Sequence, residues 1–138
     1  MMRRGLQLDR TFGKKNEIKI IDYLNKTAEK KYQLYEKFYS SFDFFNEDTI
    51  CELKSRRCSK DKYKTTIFGA NKLDKMEEGK NYVFYFLFTD GLYSWNYNED
   101  QCYLDRNGRA DRGAFEFSKH VNIPVEHLQL VTKDITSY

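Results

Sequence analysis

Ser41-Phe42-Asp43-Phe44-Phe45-Asn46-Glu47-Asp48-Thr49-Ile50-Cys51-Glu52-Leu53-Lys54-Ser55 carries the most information in this chain. Aromatic and β-branched residues dominate its two arms, and Asn46-Glu47-Asp48 between them is a turn signal, so the stretch reads as strands over 41–45 and 49–55 joined in a hairpin. A strand sends alternate side chains to opposite faces, which puts Glu52 and Lys54 on one face and Cys51 and Leu53 on the other. A loop over Asn46 to Thr49 pairs Phe45 with Ile50 and therefore sets Asp43 opposite Glu52. Sheets avoid directly opposed carboxylates unless a cation lies between them. A hard divalent ion held by Asp43, Glu52 and the main-chain carbonyl of Leu53 is the economical reading, and an all-oxygen ligand set suits Mg2+, with Mn2+ able to substitute.

Upstream, residues 1–12 read as a loose arm, and Gly13 to about Lys30 as a helix with Ile18, Ile21 and Leu24 on one side and lysines on the other. Glu17 precedes Ile21 and Leu24 by one and two turns, at the margin of the face turned toward the sheet. A further strand is expected over 33–39. Downstream, the basic run Arg56-Arg57-Cys58-Ser59-Lys60-Asp61-Lys62-Tyr63-Lys64 leads to Thr65 or Thr66, read as the cap of a helix that carries Ile67, Ala70, Leu73 and Met76 to a stop at Gly79. The near-continuous apolar run from Tyr82 to Phe88 is expected to be a strand buried on both faces, turning at Asp90-Gly91 into a second strand, Leu92 to Tyr97. After a turn at Asp105 to Gly108 and the charged 109–113 segment come two short strand-like stretches around Pro124, at 115–123 and 127–131. The order of elements gives a single α/β (α+β) domain over 13–138, a mixed central sheet flanked by helices.

Composition narrows the function classes. The 138 residues include eleven Tyr and eleven Phe, so the core is expected to be aromatic, and a net charge of +3 is a mild lean toward anionic partners. No apolar run approaches the roughly 18 residues that span a bilayer, and the basic start has no apolar stretch after it, so an intracellular, cytoplasmic protein without a membrane partner is expected. Cys51, Cys58 and Cys102 form no CxxC pair and there are two histidines, which argues against disulfides and against a Cys/His zinc site.

A helix acid, then an aspartate, then Glu-x-Lys is similar to the signature of the PD-(D/E)xK nuclease superfamily, which includes type II restriction enzymes and Holliday-junction resolvases; the likeness covers roughly residues 13 to 97. Glu17 resembles the helix-one glutamate, Asp43 the PD aspartate, and Glu52 and Lys54 the (D/E)xK pair, although Phe42 stands where the motif has proline. The resemblance implies an αβββαβ core and a Mg2+-dependent endonuclease acting on DNA, including branched or structured DNA, with Glu17, Asp43, Glu52 and Lys54 catalytic. An RNA-cleaving variant and a binding-only module of the same fold are the alternatives. Arg56, Arg57, Lys60, Lys62 and Lys64, directly after the Glu-x-Lys strand, are the candidate phosphate contacts, with Lys72 off the apolar stripe of the second helix. Arg106, Arg109 and Arg112 are interleaved with acids and read as an ion-pair network, Tyr93 and Trp95 as core packing before base stacking, and His120 and His127 receive no role. Cutting both strands needs two active sites, which a small enzyme obtains as a C2 homodimer.

Overall fold

A computed structural model describes residues 2–36, 40–105 and 120–138, with residues 2–13 as backbone alone. The chain begins with helix α1 (Met2–Asn25). Its backbone is thus helical through the residues expected as an arm, and it ends five residues before Lys30. Its buried side is Asn16, Ile20 and Ile21, while Ile18, expected on the apolar stripe, is 45% exposed. Positions 16, 20 and 24 are one turn apart, so the true stripe runs one register step from the one centred on Ile18.

Strands β1 (Gln33–Leu34), β2 (Phe44–Phe45), β3 (Thr49–Ser55), β5 (Asn81–Phe88), β6 (Gly91–Asn96) and β9 (Gln129–Thr132) form one sheet in the order β1-β2-β3-β5-β6-β9. Only β3 and β5 are parallel; the other neighbours are antiparallel, which makes the sheet mixed. The hairpin register is the expected one, with Phe45 opposite Ile50 and Phe44 opposite Cys51. Asn46 closes it by accepting from the main-chain N–H groups of Asp48 and Thr49 through its side chain, the self-contained Asx geometry that makes this residue type a turn former. At the β5–β6 turn Gly91 has φ 151° and an added Cβ would lie 3.0 Å from the carbonyl oxygen of Thr132, so only glycine fits between β6 and the end of β9.

A second sheet, β4-β8-β7, consists of β4 (Thr65–Gly69), β7 (Tyr103–Leu104) and β8 (His120–Pro124). Here the structure corrects the sequence reading. The segment expected as a helix from Thr65 to Gly79 is strand β4 followed by a 3-10 turn, Ala70–Lys75. Thr65, Thr66, Ile67 and Phe68 are β-branched or aromatic, and they pair antiparallel with Pro124, Ile123, Asn122 and Val121, a partner segment remote in sequence that local reading does not reveal. The apolar spacing misleads: Ile67, Ala70, Leu73 and Met76 recur every three residues, close to the repeat of an α-helix, but Ile67 lies in β4 and only Ala70 and Leu73 fall within the 3-10 turn. The connection between the parallel strands β3 and β5 is therefore a strand and a 3-10 turn, where an αβββαβ core has a helix.

The large sheet is covered on both faces. On one lies α1, whose Ile20 and Ile21 pack with Phe44, Cys51, Leu53 and Leu87. On the other lies the small sheet, whose Phe68, Val121 and Ile123 pack with Phe84, Phe86 and Trp95. Phe68 stacks on Phe84 with ring centroids 4.2 Å apart, and Trp95 meets both rings, which settles Trp95 as core. The strand from Tyr82 to Phe88 is buried on both faces, as its uninterrupted apolar run requires. Arg106, Arg109, Arg112 and the first part of the expected 115–123 strand lie outside the described residues, as does the end of the expected 33–39 strand. No described helix is long and apolar enough to cross a membrane.

Candidate active site

The site forms where β2 ends and β3 continues. Along β3, alternate residues turn their N–H and C=O groups to opposite sides; the N–H of Arg56 donates to Leu87 of β5, so Cys51 and Leu53 present theirs to the β2 side. Cys51 accepts there from the main-chain N–H of Asp43 at 3.0 Å. One step further the ladder stops, and the carboxylate of Asp43 replaces it, Oδ2 accepting from the N–H of Leu53 at 2.7 Å. This bond fixes Asp43 in the gap, and the carbonyl of Leu53 opens onto the same edge.

Three carboxyls meet in that gap. The Asp43 side chain is within hydrogen-bonding reach of Glu52 on one side and of Glu17, from α1, on the other. Glu52 is only 3% exposed. Burial, first, and then the hydrogen bond and negative charge of Asp43 push the Glu52 carboxyl up to about 8, against the opposing pull of Lys54 and Lys72. Burial and the charge of Asp43, followed by its hydrogen bond, raise Glu17 to about 7, with Lys14 opposing. Such a cluster keeps protons at neutral pH unless a cation neutralises it.

Two lysines face it. Lys54 Nζ lies 3.8 Å from Glu52 Oε2, and Lys72 Nζ lies closer, at 2.9 Å. Lys72 also donates to the carbonyl of Ser41 and sits 5.4 Å from the centre of the Phe42 ring. Despite the ion pair, Glu52 Oε2 is a buried oxygen with no hydrogen-bond partner: the Lys72 ammonium is near enough to attract it but is not aligned to donate to it. A buried acceptor without a hydrogen bond carries a desolvation cost that the nearby ammonium groups offset only in part. Among the described residues no three Asp, Glu, His or Cys side chains form a complete metal-ligand group, so an ion here would rest on Asp43, Glu52, the Leu53 carbonyl and water.

Glu17, Asp43, Glu52 and Lys54 are thus brought together, and Lys72, expected as a peripheral phosphate contact, sits at the same centre. It reaches the site from the 3-10 turn. The basic run after β3 divides. Arg56 is half-buried, donates to the carbonyl of Ile67 and lies 6.0 Å from the Phe86 ring centre, so it braces β3 against β4, and burial lowers its pKa. Lys60 pairs with Asp61 at 3.2 Å and lies over Tyr93, while Arg57, Lys62 and Lys64 are exposed.

Sequence reasoning missed Asn16, which is 1% exposed and donates from Nδ2 to Ser55 Oγ at 3.1 Å, pinning α1 to the end of β3 and thereby placing Glu17. Its spacing of four from Ile20 was the available signal. It also missed Phe42, which is 7% exposed with Lys72 Nζ 5.4 Å from its ring centre. Comparison of the chain with protein-family models, with curated proteins and with solved structures finds no match.

Proposed function

We propose that the chain is a metal-dependent endonuclease of the PD-(D/E)xK kind that hydrolyses phosphodiester bonds in DNA. The observation that carries the reading is the convergence of Glu17, Asp43, Glu52, Lys54 and Lys72 at the broken edge between β2 and β3, where the buried Oε2 of Glu52 is ion-paired to the lysines but accepts no hydrogen bond. Asp43, Glu52 and the Leu53 carbonyl suit Mg2+ or Mn2+, hard ions that prefer oxygen. When bound, such an ion supplies Lewis acidity to a phosphoryl oxygen and acidifies water. Lys54, on the same face as Glu52 and one-third exposed, is placed to hold the attacking water and offset charge developing on the phosphate. Glu17, raised to about 7, is poised to take or return a proton near neutrality. Lys72, 2.9 Å from Glu52, opposes the rise in its pKa and so favours the charged carboxylate.

A binding-only relative is the second reading, supported by one observation: Lys72 already brings a cation within 2.9 Å of Glu52. Incubating the pure protein with linear, supercoiled, single-stranded and four-way-junction DNA, and with RNA, in Mg2+ or EDTA separates the cases. The proposal expects scission of DNA that EDTA stops; RNA scission alone would transfer the site to the RNA-cleaving variant, and binding without scission of any substrate would favour the second reading.

A further inference from the structure

Beyond the acid cluster, β3 leads to a second feature. Glu52 and Lys54 occupy one face of β3, and Arg56, one residue past its end, continues the same alternation through its N–H bond to Leu87, so a line drawn from the carboxylates passes Lys54 and reaches Arg56 about 13 Å away, at about 3.3 Å per residue. There a cavity of about 330 Å³ opens between the end of β3 and the start of β4. Its walls include Ile67, Phe88 and the ring of Tyr63, and Thr65 and Ser59 add hydroxyls. Among the described residues its lining includes two cations, Arg56 and Lys60, and no acidic side chain, although Asp61 pairs with Lys60 and Asp90 accepts from the Lys60 N–H at 3.0 Å beside it. The volume is at the lower end of the roughly 300–1,000 Å³ of small-ligand sites, enough for one nucleoside and far too small for stacked base pairs.

Tyr63 is 61% exposed with Lys62 Nζ 5.7 Å from its ring centre. An exposed aromatic beside a cation, at the mouth of an apolar slot flanked by positive charge, is the pairing that single-stranded nucleic acid uses: the phosphates follow the charge and a base stacks on the ring. A duplex keeps its bases stacked inward and offers nothing to such a slot. We propose that the cavity between β3 and β4 receives an unpaired nucleobase of the strand held at Glu52 and Lys54, so that the preferred substrate has a single-stranded or splayed nucleotide beside the point of cutting. The inference rests on the nuclease reading for the position of the strand, but not for the base contact itself.

The test is made in EDTA, where nothing is cut. A single-stranded oligonucleotide carrying 2-aminopurine and the matching duplex are titrated with the full-length protein, with Tyr63→Ala and with Tyr63→Phe. The expected result is a fluorescence change on the single strand, and a single-strand to duplex affinity ratio that falls about tenfold in Tyr63→Ala and is retained in Tyr63→Phe. An unchanged ratio in Tyr63→Ala, or no binding of the single strand by the native protein, overturns the pocket. A protein that shows the expected ratio but cuts nothing in Mg2+ keeps the pocket and loses the nuclease reading; one that cuts with an unchanged ratio does the reverse.

Discussion

Replacing Asp43 by asparagine should strengthen the metal-free fold while abolishing activity. Asparagine keeps a carbonyl oxygen in place of Oδ2, so the N–H of Leu53, 2.7 Å away in the native protein, keeps an acceptor; the lost charge assistance costs on the order of 1 kcal/mol. Against that stands relief of repulsion. Asp43 raises both Glu17 and Glu52, whose carboxyls stand at about 7 and about 8 instead of 4.5. Each pKa unit corresponds to about 1.4 kcal/mol, and Asp43 is the lesser cause after burial, so relief of about 2 kcal/mol at pH 8.5 is a fair figure once screening at half-exposed Glu17 is counted. The net gain is about 1 kcal/mol, or about 3–5 °C in Tm for a domain of this size. The effect has a direction in pH. An acid whose folded pKa is raised binds its proton more tightly when folded, so native stability is greatest below about 4.5 and falls as pH rises toward 7 and 8. The variant should lose less across that window: it should be about 1 kcal/mol less stable than the native protein at pH 5, where no repulsion is relieved, and the two curves should cross near pH 7. Urea melts at pH 5, 7 and 8.5, without divalent ions, measure this. A variant less stable than the native protein by more than about 1 kcal/mol at pH 8.5 would refute the reasoning and make Asp43 a structural residue.

Lys54→Ala should lower the cleavage rate by about 10²–10³-fold, the usual cost of one transition-state donor, while DNA affinity in EDTA changes less than threefold; a parallel loss of affinity would recast Lys54 as a docking residue. Lys62→Ala with Lys64→Ala, both exposed in the structure, should reduce the slope of log K against log salt for duplex DNA by about 0.9 for each phosphate these lysines neutralise, with the single-turnover rate at saturation unchanged; an unaltered slope would place the phosphates elsewhere. Asn16→Ala removes a buried hydrogen bond to Ser55 and should cost about 1–2 kcal/mol in a urea melt, and no loss would mean that α1 is not anchored there.

Much of the site is legible in the sequence because it depends on short-range rules. Period-two alternation puts Glu52 beside Lys54, the Asn46 turn sets the Phe45–Ile50 register, just beyond which the Asp43 side chain comes to Glu52, and helical spacing puts Glu17 on the inner margin of α1. What fails depends on partners remote in sequence. Thr65–Gly69 is a strand because β8 pairs with it, and Arg56 is a brace because β4 supplies Ile67, neither of which a local pattern contains. Lys72 reaches the chemistry from a different element than the sequence suggests: it arrives by a 3-10 turn whose three-residue apolar spacing resembles that of an α-helix. The 45% exposure of Ile18 has the same origin, since a stripe through 18, 21 and 24 and one through 16, 20 and 24 differ by a fraction of a turn that only packing on Phe44 and Leu53 decides.

The central claim is that Asp43 and Glu52 hold a divalent ion that the reaction requires. It is tested by measuring cleavage and DNA affinity in the same buffers with Mg2+, Mn2+, Ca2+ or EDTA, for the native protein and Asp43→Asn. The expected result is cleavage by the native protein in Mg2+ and Mn2+, binding without cleavage in Ca2+, a larger and looser ion and poorer Lewis acid, and an Asp43→Asn variant that neither cleaves nor binds DNA more tightly when an ion is added. Strong native cleavage in EDTA, or undiminished cleavage by Asp43→Asn in Mg2+, would contradict it.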